Sequence, residues 1–288
     1  MIVVAFPGQG AQKVGMAENL TQNQLHYFHK ASSVLGYDLL KLCNQGPLEK
    51  LSLTQYTQPA LMVSCISLWS ELKRITNVQV LAGHSLGEIT ALIASGAVDF
   101  LDGVKITAKR GELMSRHSQG GMAAIIGLDA AQVKKIVEES KYLGIISIAN
   151  YNAPGQFVIS GESNAVKSAA RLALAVGAKK VVPLRVSGSF HSSLMQPVGT
   201  EFLAYLNQFK FKDPKYPVIS NINSDLITTA GQIKNELGRQ LTTSVQWIEN
   251  VLQLKSLGMT EFIEVSSVSV LAGLTRQITA DIKIVSYP

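Results

Sequence analysis

Residues 78–82 read as a short, mostly apolar strand, Gly83-His84-Ser85-Leu86-Gly87 follows at once, and an apolar stretch with helical character runs on to Gly96. A G-x-S-x-G run between a strand and a helix forces a sharp turn. Small flanking residues let the strand and helix pass closely, while the serine oxygen points outward into a cleft. A chain built this way has to place a strand end, a strained turn and a helix N-terminus together, so an α/β layer structure is expected. The helix after Ser85 would also aim unpaired backbone N–H groups, that of Leu86 among them, at any negative charge forming beside the serine.

The rest of the chain is consistent with that layer. Residues 2–6 read as a buried strand running into the Gly8-Gln9-Gly10 turn, and 58–74 as a buried helix with Pro59 at its first position. Residues 103–116 read as a further helix, which carries Arg110. A different rhythm occupies residues 123–187: strands at 123–128, 145–150, 156–160 and 180–186, with helices at 130–140 and 164–176. That βαββαβ order is the ferredoxin-like pattern, predicting a small sheet with two helices on one face. It divides the chain into a large α/β subdomain, 1–122 and 188–288, and an inserted one, 123–187. Downstream, 217–221 and 261–265 read as strands returning to the large sheet. Helices are expected at 192–208, 229–241 and 244–257.

A serine becomes nucleophilic at neutral pH only with a base in reach, normally histidine. Of the five histidines, His26 and His29 lie on an amphipathic surface stretch and His117 on a polar loop edge. His84 adjoins Ser85 but should point away, serving packing or orientation. His191, in Ser187-Gly188-Ser189-Phe190-His191-Ser192-Ser193, follows a predicted strand in a small-residue loop, where catalytic side chains collect.

Composition narrows the classes. The 288 residues are 47% hydrophobic, ample for a sizeable core. The net charge of +6 is scattered, with pairs at Lys134-Lys135 and Lys179-Lys180 but no basic run, so nucleic-acid binding gains no support and an acidic protein partner stays open. Cys43 and Cys65 have neither metal-site nor redox spacing and read as structural thiols, with no metal site expected. The N-terminus lacks a basic segment before its short apolar stretch, which points to a cytoplasmic protein outside the membrane.

Seven segments together carry a family resemblance: Phe6-Pro7-Gly8-Gln9-Gly10, Tyr56-Thr57-Gln58-Pro59-Ala60-Leu61, Gly83-His84-Ser85-Leu86-Gly87-Glu88, Lys109-Arg110-Gly111, Asn152-Ala153-Pro154-Gly155-Gln156, Ser187 to Met195 and Arg239-Gln240-Leu241. In this order and spacing they resemble the malonyl-CoA:acyl carrier protein transacylases over nearly the whole chain. The resemblance implies an α/β-hydrolase-like large subdomain with an inserted ferredoxin-like one. It further implies that Ser85 attacks the thioester of malonyl-CoA, that His191 is the base, and that the phosphopantetheine thiol of an acidic acyl carrier protein is the second acceptor in a ping-pong cycle. By the same carry-over the backbone N–H groups of Gln9 and Leu86 hold the oxyanion, and the main-chain carbonyl of Gln240 orients His191. Arg110 pairs with the malonyl carboxylate, and Phe190 crowds a branching methyl. No permanently bound cofactor and a monomer are implied.

The chain departs from the family near its end, where Glu264-Val265-Ser266-Ser267-Val268 replaces the usual Glu-Val-Gly-Pro-Gly. With the early stop at Pro288, this favours a discrete acyltransferase of polyketide assembly, beside the fatty-acid reading. From another class, an esterase or thioesterase would use the same elbow and histidine for water, and a silent carrier-binding module is a third reading. Arg110 and Gln9 speak against the hydrolase, intact Ser85 and His191 against the silent module.

Overall fold

Alternate residues of the first strand face opposite cores: Val4 and Phe6 pack with the helices of one layer, Val3 and Ala5 with those of the other. This is the two-sided burial of a central parallel strand. The computed structural model describes residues 1–117 and 119–288. Its strands are β1 (Ile2–Phe6), β2 (Val80–Gly83), β3 (Gly121–Ile126), β4 (Ile146–Ala153), β5 (Gln156–Gly161), β6 (Lys180–Pro183), β7 (Val218–Ile219), β8 (Leu226–Ile227), β9 (Glu261–Val265) and β10 (Lys283–Tyr287). The large sheet has the order β10-β9-β1-β2-β7-β8, parallel except for the β7–β8 edge. Helices Thr54–Ile75, Leu86–Ala94 and Phe100–Arg116 cover one face, and helices Trp247–Ser256 and Leu271–Ile278 the other.

The second sheet is antiparallel with the order β4-β5-β3-β6, the ferredoxin-like arrangement that the βαββαβ rhythm predicts. Ile125, Phe157 and Ile159 point to helices Ala130–Ser140 and Ser163–Ala175. Met122, Ala149 and Val158, on the opposite face, join the core of the large sheet. The small sheet therefore has helices on one side and the rest of the molecule on the other. A bridge closes the junction: Val245 N–H donates to Ala149 O at 2.8 Å and Tyr151 N–H to Val245 O at 3.0 Å.

Several boundaries differ from the sequence reading. The helix expected from residue 58 begins at Thr54, which places Pro59 in its second turn. The missing Pro59 donor removes one ladder bond only, and the Thr57 hydroxyl donates to the carbonyls of Leu51 and Leu53 at 2.6 and 3.1 Å, anchoring the earlier start. Residues 217–221 reduce to the two-residue β7. The segment 192–208 splits into a 3-10 turn, Ser193–Met195, and the helix Gln196–Leu206. Strands β8 and β10 and helices Gln22–Leu35, Leu39–Gln45 and Leu271–Ile278 were not legible in the pattern. Where the chain departs from Glu-Val-Gly-Pro-Gly, Glu264 is fully buried and its carboxylate accepts the N–H groups of Val270, Leu271 and Ala272, capping the last helix. The Ser266 hydroxyl accepts from Val268 N–H at 3.3 Å, so serine holds the turn there.

Candidate active site

Ser85 sits at the helix N-cap with φ 54 and ψ −107, a left-handed conformation costly for a residue with a side chain. Its neighbours force it. A Cβ on Gly83 would lie 1.9 Å from the carbonyl carbon of Gly87, and one on Gly87 would lie 1.9 Å from Phe6 O. Strand β1, strand β2 and the helix Leu86–Ala94 thus converge backbone on backbone. Asn221, fully buried just beyond β7, braces the turn: its Oδ1 accepts Ser85 N–H at 2.6 Å and its Nδ2 donates to Gly83 O at 2.6 Å.

His191 approaches from the loop after β6, also at positive φ (56). Its Nδ1 lies 2.9 Å from Gln240 O and 3.2 Å from Thr243 O. Carbonyl oxygens only accept, so the ring proton resides on Nδ1 and the Nε2 lone pair faces Ser85 Oγ at 2.8 Å. Burial, and then the Arg110 charge, depress the imidazole to a pKa of about 3, so it is neutral and ready to accept a proton at physiological pH.

Arg110 is 1% exposed, on the inner face of the helix Phe100–Arg116. Its Nη1 donates to Gln58 Oε1 at 2.9 Å, and its Nη2 to Gln240 Oε1 at 2.7 Å and to Ser85 Oγ at 3.2 Å. Burial lowers it to about 10, partly offset by Glu88, and it stays charged at neutral pH. Its side-chain acceptors are neutral oxygens, and its Nε has no partner among the described residues. A buried cation with amide and hydroxyl acceptors suits a ligand that brings its own carboxylate.

These groups line a cavity of about 110 Å³ whose walls include Gln9, Leu86 and Phe190, with Met122, Leu184 and Val186 as an apolar roof. A nucleophile, a neutral base and a fixed cation thus share one small space. The broader groove of about 960 Å³ near Lys13 contains none of them.

Comparison with known proteins accords with this arrangement. The model of the acyl transferase domain family matches residues 3–284. The malonyl CoA-acyl carrier protein transacylase of Staphylococcus aureus (strain MRSA252) is 40% identical over 290 residues, 98% of this chain and 94% of that protein. The chain belongs to the malonyl-CoA:acyl carrier protein transacylase family. The enzyme of the same name from Salmonella typhimurium (strain LT2) is 40% identical over 281 residues, 95% of this chain and 91% of that one. Among solved structures, the acyl carrier protein S-malonyltransferase of Vibrio cholerae superposes with a TM-score of 0.95 at 38% identity, covering 99% of this chain and 96% of that one. A malonyl-transacylase solved in complex with its type II PKS acyl carrier protein superposes with a TM-score of 0.96 at 36% identity, covering 99% and 95%.

Within this transacylase-family site, the structure brings Ser85, His191, Arg110, Gln240, Gln9, Leu86 and Phe190 to one cavity or its immediate lining. His26 and His29 are exposed on the helix Gln22–Leu35, and His117 ends the helix Phe100–Arg116. His84 packs on Trp247, and its Nε2 lies 2.9 Å from Asn152 Oδ1. Both cysteines are buried, and burial raises their thiols, that of Cys43 to about 12. Sequence reasoning missed Gln58, Glu88, Asn152 and Asn221. The first three stand inside quoted motifs, so position alone could have flagged them. Asn221 follows a two-residue strand and carries no local signal. Among the described residues no helix is long and apolar enough to cross a membrane, and no three metal-ligating side chains cluster.

Proposed function

We propose that this chain transfers malonyl from coenzyme A to the phosphopantetheine thiol of an acyl carrier protein through an ester on Ser85. The observation that carries the reading is the buried Arg110 guanidinium 3.2 Å from the serine oxygen. Ser85 Oγ attacks the thioester carbonyl as its proton passes to His191 Nε2, and the backbone N–H groups of Gln9 and Leu86 receive the negative charge on the carbonyl oxygen. The carbon–sulfur bond then breaks, and the coenzyme A thiolate takes the proton from His191. In the second half the carrier thiol gives its proton to His191 and attacks the ester, and Ser85 Oγ recovers the proton as it leaves.

Arg110 supplies selectivity. A malonyl carboxylate presents a planar anion to the guanidinium fork, whereas an acetyl group leaves that buried charge without a counter-ion. Phe190, 5% exposed and facing the cavity, narrows the space where a branching methyl would project. Residues 123–187 act as an inserted subdomain that roofs the cavity against the large subdomain of 1–122 and 188–288. The natural carrier is an acidic protein, in keeping with the basic chain.

Single-turnover labelling with malonyl-CoA tests the cycle. Mass spectrometry is expected to find one malonyl ester on the peptide holding Ser85, stable until carrier is added and absent from Ser85→Ala. Prompt release of free malonate without carrier would make the protein a thioesterase instead.

A further inference from the structure

Where the helix Leu86–Ala94 meets the helix Ala230–Gln240, two carboxyl groups face each other: Glu88, fully buried, and Glu236, 8% exposed, whose Oε1 is buried with no hydrogen-bond partner among the described residues. The donors around Glu88 are fixed. Its Oε1 accepts Asn221 N–H at 2.9 Å, and its Oε2 accepts an Nε2–H of Gln240. The same Gln240 amide donates to Ser85 O at 3.0 Å, its Oε1 accepts from Arg110 at 2.7 Å, and its main-chain carbonyl accepts from His191 Nδ1 at 2.9 Å. One glutamine therefore touches nucleophile, base and cation, and Glu88 dictates which way its amide faces. A flipped amide would set an NH2 group against the guanidinium and oxygen against oxygen at Glu88 and Ser85.

We propose that Glu236 and Glu88 share one proton and form a positioning pair that, through Gln240, sets the Arg110 guanidinium for the free carboxylate of the substrate. This inference rests on the malonyl-transfer reading. Two ionised carboxylates in contact would repel in a dry site, while one proton held between the facing oxygens of Glu88 and Glu236 removes that repulsion and leaves Gln240 N–H and Asn221 N–H bound to Glu88. Burial first, and Glu236 next, push the Glu88 carboxyl well above the ordinary carboxylate range. Among the described residues the titratable groups acting on Glu88 are Glu236 from the helix Ala230–Gln240 and Arg110 from the helix Phe100–Arg116, the latter in the opposite sense. Asn221 and Gln240 do not titrate. Glu236 stands four residues before Gln240, one helical turn along the same face, so a single helix presents both ends of the relay.

The test compares Glu236→Leu and Glu236→Gln by steady-state malonyl loading across pH. Leucine removes the hydrogen bond, and KM for malonyl-CoA is expected to rise about tenfold while kcat and acetyl-CoA loading stay within about twofold. Glutamine is expected to restore KM, because its amide N–H donates to Glu88 as the shared proton does. In the unaltered protein KM should rise on the alkaline side as the pair loses that proton, an inflection expected to vanish in Glu236→Gln. A leucine variant with unchanged KM, or a glutamine variant that keeps the alkaline inflection, would overturn the proposal; should the leucine variant fail to fold, the glutamine pH profile decides alone. Carboxyl ¹³C NMR of the glutamate-labelled protein gives a readout independent of catalysis: one glutamate titrating far above the usual range is expected, and uniformly ordinary titrations would refute the pair. Failure of the malonyl-transfer reading would show separately, as absence of the Ser85 ester.

Discussion

Arg110 acts on both of its neighbours at once. Its charge beside Ser85 Oγ favours the alkoxide, and the same charge depresses His191, so base strength and nucleophile acidity are set by one cation. When a malonyl carboxylate pairs with the guanidinium, part of that charge is offset and one of the two main causes holding His191 down relaxes. Substrate thereby strengthens its own base. Arg110→Ala should therefore lower malonyl loading by about 10² or more, the scale of breaking a buried ion pair, and move preference toward acetyl-CoA. A competition assay with the two thioesters measures this, and unchanged selectivity would remove Arg110 from its role. The depressed imidazole makes a second prediction. Because folded His191 protonates only near 3 while an ordinary histidine does so near 6.5, loading should show no loss of rate on passing through about pH 6.5. The linkage runs the same way for this group: between those values the unfolded chain binds the extra proton, so the His191 contribution to stability falls as pH is lowered through that window. A half-loss of activity near 6.5 would mean that the histidine is not buried beside the cation.

The elbow shows what a sequence can and cannot disclose about an element. Its glycines were legible because no other residue lets β1, β2 and the following helix close to backbone contact. Gly87→Ala should cost at least about 3 kcal/mol, since the new methyl meets Phe6 O in the middle of the large sheet and no flexible side chain can yield. A urea midpoint near that of the unaltered protein would contradict this close packing. The small sheet was equally readable, because its strands and helices follow one another in the βαββαβ order. Strand β8 was not, since two residues carry no periodicity, β7 was read too long at 217–221, and Pro59 misled because the anchoring of Thr57 to the preceding turn outweighs one missing donor. The site residues divide similarly. Ser85 and His191 stand in motifs that announce chemistry, whereas the Gln58–Arg110–Gln240 contacts join residues 52 and 130 positions apart and exist only once the helices pack.

At the level of the whole molecule, the difference between a transferase and a hydrolase lies in keeping water from the acyl-enzyme, and Met122 and Asn150 of the small sheet line the cavity where that would happen. Besides the shared packing of Met122, Ala149 and Val158, hydrogen bonds tie the small sheet to the catalytic half close to the site. Val245 bridges to β4 just beyond Gln240 and Thr243, whose carbonyls hold His191, and Ser244 Oγ–H donates to Ile148 O at 2.5 Å. The imidazole of His84, inside the elbow itself, reaches Asn152 of β4 at 2.9 Å. Asn152→Ala should leave that ring without its partner, at a cost of about 1–3 kcal/mol, and loosen the roof directly over Ser85. The consequence to measure is chemical. Malonyl-enzyme prepared from the variant should release free malonate faster in the absence of carrier, while initial loading is little changed because Ser85, His191 and Arg110 keep their own contacts. If the variant loses stability yet holds its malonyl ester as long as the unaltered protein, the small sheet is not what excludes water, and the cavity walls from the large sheet must suffice.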